Sequence, residues 1–246
     1  MLSSYAIHDD DGRLRCPVCR RVDRPFERAV AYGSYDGALR ELVHLLKYNG
    51  VRPAANVLGR MLAEAIAMLQ SSFGQPTILV VPVPLFTGKR LQRGFNQAEM
   101  IARAALRATL NNPASRRRLE LAEDVLTRTR ETHSQIGLTS HQRRENLRGA
   151  FKVARAREVT GREFLLVDDV YTTGTTAIEC ARVLRRAGAS KVWVATVART
   201  LKLASKYAEQ GLKETGFKVS EFQSFKDDDS VLDNQPEREH FETLRL

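Results

Sequence analysis

The sequence predicts an α/β fold, a mostly parallel sheet flanked by helices. Three observations predict it. Short apolar runs, TILVV at 77–81, FLLV at 164–167 and KVWVATVA at 191–198, have the β-branched content of strands buried on both faces. Segments with helical spacing of apolar residues stand between them, and strands alternating with helices argue for parallel pairing. At 246 residues the chain can bury one substantial core, or a core plus a small appendage.

Residues 1–30 are read as an N-terminal segment. MLSSYAIHDDDG is acidic and has no apolar block behind a basic start, so it is not a secretory signal. The organised pattern begins with GSYDGALRELVHLLKYNG at 33–50, a turn and then a helix burying Leu39, Leu42, Val43 and Leu46, stopped by Asn49-Gly50. A second helix over 54–70 places Val57, Leu58, Met61, Leu62, Ala65, Ile66 and Leu69 on one face. After the 77–81 strand, prolines stop the pairing. A basic loop, LFTGKRLQRGF, then leads into a helix that Asn96 and Glu99 start as a capping box, with Phe95 and Met100 as its hydrophobic staple.

NNPASRRR is a surface connection, and 124–127 is a short strand. Residues 128–151 are polar, basic and without apolar period, which predicts a long mobile loop with one helical turn; loops of that length are often lids. The 164–167 strand follows. Thr176 and Glu179 form a second capping-box pattern, Gly188 closes that helix, and 191–198 is the next strand. The main domain spans 31–200. Beyond it, 201–246 is an acidic tail with weak patterning, expected to be largely disordered.

The formal net charge is +10. Seven Lys/Arg against ten Asp/Glu in 201–246 give −3 there, which leaves about +13 on residues 1–200. Such a surface concentrates polyanions: nucleic acid, nucleotides or sugar phosphates. No apolar run approaches the roughly 20 residues needed to cross a bilayer. Three cysteines make no disulfide framework, and a cytoplasmic location is the default expectation. Cys16 and Cys19 have C-x-x-C spacing, half of a tetrahedral zinc site, but no second C-x-x-C or H-x-x-x-H completes it and His8 is the only extra ligand nearby.

The chemistry concentrates in FLLVDDVYTTGTT, residues 164–176. In an open parallel sheet, ligands sit beyond the carboxyl ends of the strands, where 168–175 is expected. Backbone amides of Thr172, Thr173, Gly174, Thr175 and Thr176, at a helix N-terminus, can surround a phosphate. Asp168 and Asp169 cannot bind that same phosphate. They suit sugar hydroxyls, a metal ion or a developing positive charge. A ribose 5-phosphate group satisfies both halves of the motif. Capping explains one Asp or Thr here, not two acids followed by T-T-G-T-T, and neither G-x-x-x-x-G-K-[ST] nor G-x-G-x-x-G occurs.

These residues resemble the type I phosphoribosyltransferases. CPVC, the 33–50 segment, VPVPL with RGFNQA, the LTRTRETHSQIGLTSHQRRENLRGAF run and VDDVYTTGTT together resemble the ComF/GntX-like, competence-associated branch. The resemblance implies a phosphoribosyltransferase-like sheet with an incomplete N-terminal zinc ribbon, since relatives commonly carry four cysteines and only Cys16 and Cys19 stand here. It implies phosphoribosyl pyrophosphate (PRPP) with Mg²⁺ as ligand and, as activity, pentosyl transfer to an unidentified acceptor. The alternative it implies is a non-catalytic competence protein assisting single-stranded DNA uptake in natural transformation, with the DNA or a DNA-uptake helicase as partner.

By the same resemblance, Asp168 and Asp169 are the catalytic pair on the ribose, and Thr172, Thr173, Gly174, Thr175 and Thr176 hold the 5-phosphate. Lys89, Arg90, Arg93 and Asn96 are expected near the pyrophosphate. Arg128, Arg130, Gln135, Arg143, Arg144 and Asn146 are lid candidates. Lys47 matches a family lysine, although its position at a helix end reads as solvent-facing. His44 reads as a helix-surface residue, and His133 is a candidate proton carrier. Trp193 and the Tyr and Phe residues show no interleaving with basic residues of the kind that marks a base-stacking platform.

Overall fold

In the computed structural model the described residues are 7–8, 14–15, 24–110, 118–132 and 140–200. The expectations for Cys16, Cys19, His133, Gln135 and the 201–246 tail lie outside them. Two short strands, β1 (Ile7–His8) and β2 (Leu14–Arg15), pair antiparallel. The main chain order is then β3 (Arg28–Ser34), α1 (Gly37–Lys47), α2 (Ala54–Ala67), β4 (Thr77–Pro82), α3 (Thr87–Arg93), α4 (Gln97–Leu110) and β5 (Arg118–Leu121). It continues with β6 (Leu126–Arg128), α5 (Ser140–Leu147), β7 (Phe151–Val153), a 3₁₀ turn (Ala156–Glu158), β8 (Glu163–Tyr171), α6 (Thr175–Arg186) and β9 (Lys191–Arg199).

Five strands form one sheet in the order β3-β9-β8-β4-β5, and every neighbouring pair is parallel. Strict alternation decides what each face buries. Ile78, Val80, Leu165, Val167, Ala195 and Val197 pack on one face with Leu46, Leu58, Leu62, Ile66 and Ile101 from α1, α2 and α4. Leu79, Val81, Phe164, Leu166, Val192 and Val194 pack on the other with Ile178, Ala181 and Leu184 of α6 and with Leu126, Leu147 and Phe151. Both faces are covered, as the continuous apolar runs require.

Helices α2 and α4 touch backbone to backbone at Gly59. A Cβ there would overlap the Ala104 methyl and come within 2.9 Å of the Ala104 carbonyl carbon and the Ala105 nitrogen. Among the described residues no helix is long and apolar enough to cross a membrane.

The structure departs from the sequence reading in several places. RAVAYGS forms edge strand β3 in register with β9, and it runs across position 30. TGKRLQR is helix α3 rather than loop; it buries no residue, so it leaves no apolar period to read. The lid segment contains an eight-residue helix, α5, rather than one turn, and it stands on an antiparallel hairpin of β6 with β7.

Candidate functional site

From β4 the chain steps outward to β5, then returns to β8 and steps the other way to β9. The C-terminal ends of β4 and β8 therefore flank the switch point where open α/β sheets place ligands. Pro82 lies beside Val167 there, and the Val83 amide donates to the Val167 carbonyl at 2.8 Å.

Strand β8 is longer than its apolar run. Asp168 and Asp169 lie inside it, not beyond it, because β9 continues alongside and pairs Asp168 with Thr196 and Tyr171 with Arg199. Alternation then separates the two acids. Asp169 is 4% exposed and points into the structure, where its Oδ2 pairs with Lys47 Nζ and its Oδ1 accepts the Val170 amide at 2.8 Å. Lys47 is therefore not solvent-facing; its side chain is only 19% exposed. Burial by itself would lower the Lys47 ammonium, but the Asp169 charge and hydrogen bond, with Asp168 behind them, outweigh burial and raise it.

Asp168 is half-buried and faces a small pocket. Loss of water around its carboxyl, then the Asp169 charge, push it well above the usual carboxylate range, with Lys47 opposing.

The loop after β8 closes that pocket. Gly174 takes a left-handed φ of 76° and serves as N-cap of α6 without a side-chain cap bond. A Cβ at Gly174 would also overlap the Tyr171 ring. Because the glycine starts the helix at Thr175, the expected box between Thr176 and Glu179 does not form. Glu179 instead accepts the Gly149 amide at 3.0 Å and pairs with Arg182.

The first amides of α6 thus keep their anion-binding character. Asp168, Thr172, Gly174, Thr175 and Thr176 line about 20 Å³ of space, roughly one water-sized sphere. The Thr173 and Thr175 hydroxyls bond each other across the loop at 2.7 Å.

The lid meets this loop through Arg143, whose Nη1 donates to Thr172 Oγ1 at 3.1 Å. Arg130 is spent on helix α5, donating to the Asn146 and Arg148 carbonyls at 2.9 and 2.8 Å. Arg144 is exposed. Arg128 stacks over Phe151 at 5.5 Å and bonds Thr132. Burial, aided by Arg130, draws its guanidinium below the usual value, while Cys180 and Asp168 act against that.

Arg128, Arg90 and Asn96 line a second and larger cleft of about 430 Å³, bounded by the Pro82–Thr87 turn and the β6–β7 hairpin. Asn96 donates to the Val83 carbonyl at 3.0 Å and caps α4 through the Ala98 amide at 3.1 Å. Arg90 pairs with Glu99 at 3.3 Å, which takes Glu99 out of the reciprocal half of the expected capping box. Arg93 is held by Gln97 at 2.6 Å and lies over the Tyr48 ring at 5.8 Å.

Sequence reasoning missed Tyr171, Glu123 and the buried pairing of Lys47 with Asp169. Burial, then Glu99 across the cleft, raises the Glu123 carboxyl. Tyr171 carried a signal, since it stands within the D-D-V-Y-T-T-G run itself.

Among the described residues no three His, Cys, Asp or Glu side chains gather into a metal-binding set. The single outward carboxylate of Asp168 suits a Mg²⁺ held chiefly by phosphate oxygens and water.

Residues 110–233 match the phosphoribosyl transferase domain. The DNA utilization protein YhgH of Escherichia coli (strain K12) is 34% identical over 190 residues, covering 76% of this chain and 79% of that one. Competence protein F of Haemophilus influenzae is 30% identical over 205 residues, covering 80% of this chain and 81% of that one. Competence protein ComFC of Bacillus subtilis (strain 168) is 23% identical over 155 residues, covering 63% and 57%. A parallel sheet that delivers two acids and a glycine-turned threonine loop at its switch point agrees with these matches, and the chain belongs to the phosphoribosyl transferase domain family, in its ComF-like branch.

Proposed function

We propose that the protein binds phosphoribosyl pyrophosphate with Mg²⁺ at the β8–α6 junction and transfers the phosphoribosyl group to an acceptor. One observation carries this reading: the N-terminus of α6 lacks a side-chain cap and is turned by Gly174 to face the same pocket as the Asp168 carboxylate. The 5-phosphate takes the Gly174–Thr176 amides and the threonine hydroxyls. Asp168 accepts the ribose hydroxyls, and Asp169, fixed by Lys47, stands behind it.

Transfer breaks the bond between C1 and the pyrophosphate oxygen, and the electron pair leaves with pyrophosphate. The acceptor's lone pair then forms the new bond to C1, and the acceptor loses a proton. Cationic groups must meet the leaving diphosphate as charge develops. Arg90, Arg93 and Lys89 on α3 and Arg128 and Arg143 of the lid are the side chains available for that. Bound Mg²⁺ supplies further charge neutralisation on the diphosphate. Closing α5 over the loop excludes water.

Calorimetric titration with PRPP and Mg²⁺ tests the reading. Saturable one-site binding, lost in Asp168→Asn, supports it; equal affinity in that variant sinks it.

A second reading keeps the ligand and drops the chemistry, so that the protein serves DNA handling as a binding module. The names of the relatives, a DNA utilization protein and two competence proteins, favour it. Pyrophosphate release that depends on an added acceptor separates the two.

A further inference from the structure

Most charges that line the cleft of about 430 Å³ cancel in pairs. Glu99 is held by Arg90 on Oε2 and by Arg103 on Oε1, each at 3.3 Å. Asp124 is held by Arg155 at 3.2 Å. Two lining charges of opposite sign are left short. Arg128 bonds the Thr132 hydroxyl and lies over the Phe151 ring, but no described carboxylate comes within ion-pair distance, and its Nε is buried without a hydrogen bond. Glu123 meets Arg103 through Oε1 at 2.5 Å, and its Oε2 engages no described residue. Arg128 and Glu123 do not pair with each other.

Their places on the chain set them apart. Glu123 precedes β6, whereas Arg128 ends it, on the side where the Asp168 charge is felt. Burial is the largest influence on each, drawing the guanidinium down and pushing the carboxyl up, as it does for charges that lack a counter-ion. The uncharged wall is aliphatic, built from Pro82, Pro84, Leu85, Leu126 and Ala154.

We propose that this cleft binds a small aliphatic zwitterion, an amino acid whose carboxylate meets Arg128 and whose ammonium meets Glu123. The binding does not depend on the sugar-phosphate reading. It assigns Arg128 to the second ligand and leaves the diphosphate to α3 and Arg143. Three features select this occupant. Arg90, Arg128 and Arg155 balance Glu99, Glu123 and Asp124, so a ligand of either net charge meets like charges, and the phosphates of a nucleotide would face three acids. Among the described lining residues no aromatic ring offers a face to a nucleobase, and the Asn96 amide that could read a base edge is spent on the Val83 carbonyl and the Ala98 amide. The volume suits an enclosed small molecule and not a macromolecular surface.

The test is calorimetric titration of the full chain with 5-aminopentanoate, without PRPP. Wild type should bind it at one site. Pentylamine, which lacks the carboxylate, and pentanoate, which lacks the ammonium, should each bind roughly ten-fold more weakly or worse, since each leaves one charge unmet. Glu123→Gln should weaken 5-aminopentanoate binding by roughly the same factor. Ala154→Phe, at an exposed position of the wall, should fill the cleft and abolish binding. Unchanged thermal midpoints exclude a folding effect. Should the midpoint of Glu123→Gln fall through loss of the Arg103 pair, Ala154→Phe decides the matter.

No binding by wild type, equal binding of either single-headed analogue, tighter binding of adenine or uracil, or full affinity in Ala154→Phe overturns the proposal. Its fate is separable from that of the sugar-phosphate site. Asp168→Asn should leave 5-aminopentanoate affinity intact, and Glu123→Gln should leave the calorimetric PRPP affinity intact.

Discussion

Lys47 at the end of α1 and Asp169 inside β8 form an ion pair whose side chains are 19% and 5% exposed. The pair fastens the helical layer to the strand that carries the site. It also divides the acid pair, leaving Asp168 to face the small pocket at the start of α6.

Breaking the pair from either side strands a charge out of water. Lys47→Met should cost about 3 kcal/mol in urea unfolding, and Asp169→Leu a similar amount. The double variant should be more stable than either single one. Single losses below about 1 kcal/mol would show that solvent reaches the pair.

Asp168 gives a pH signature in the unliganded protein. Its folded pKa lies above its unfolded one, so the folded state resists losing the proton. Stability should therefore fall as pH rises from the ordinary carboxylate pKa to the raised one, then level off. Asp168→Asn lacks this proton. Its thermal midpoint should exceed wild type by a few degrees at neutral pH, about 1 kcal/mol, and the gap should close in acid. A gap that widens in acid has the wrong sign.

Gly174 answers to two constraints at once. Gly174→Ala forces a side chain into left-handed backbone, costing about 1 kcal/mol, and drives a methyl into the Tyr171 ring. PRPP affinity should fall by at least ten-fold, since the α6 amides shift. Adding Tyr171→Ala removes the overlap but not the backbone strain, so calorimetry should show partial recovery. Full recovery would mean that the φ is not required.

Gly59 tests the scaffold and not the site. Gly59→Ala should cost about 2 kcal/mol by wedging α2 from α4 against the Ala104 backbone. PRPP affinity at low temperature should stay unchanged. An unchanged urea midpoint would show that the two helices separate freely.

Legibility followed burial. Strands β4, β8 and β9 are buried on both faces and show it as apolar runs, and α2 and α4 show it as helical spacing. Edge strand β3 is small-residue-rich and half-buried, α3 buries nothing, and both escaped. The threonine loop after β8 was legible because glycine, threonine and acid are consecutive residues. The Lys47 pair was not, since it joins residues far apart in the chain. A capping-box spacing at Thr176 and Glu179 misled, because one left-handed glycine moved the helix start and freed Glu179 for Gly149.

The central claim is that the Gly174–Thr176 amides hold a phosphoryl group while Asp168 holds the pentose attached to it. A crystal structure of the protein with PRPP and Mg²⁺ tests it most directly. The account predicts 5-phosphate density at the start of α6 and both ribose hydroxyls on Asp168. Ligand density elsewhere, with Asp168 touching only protein, would contradict it.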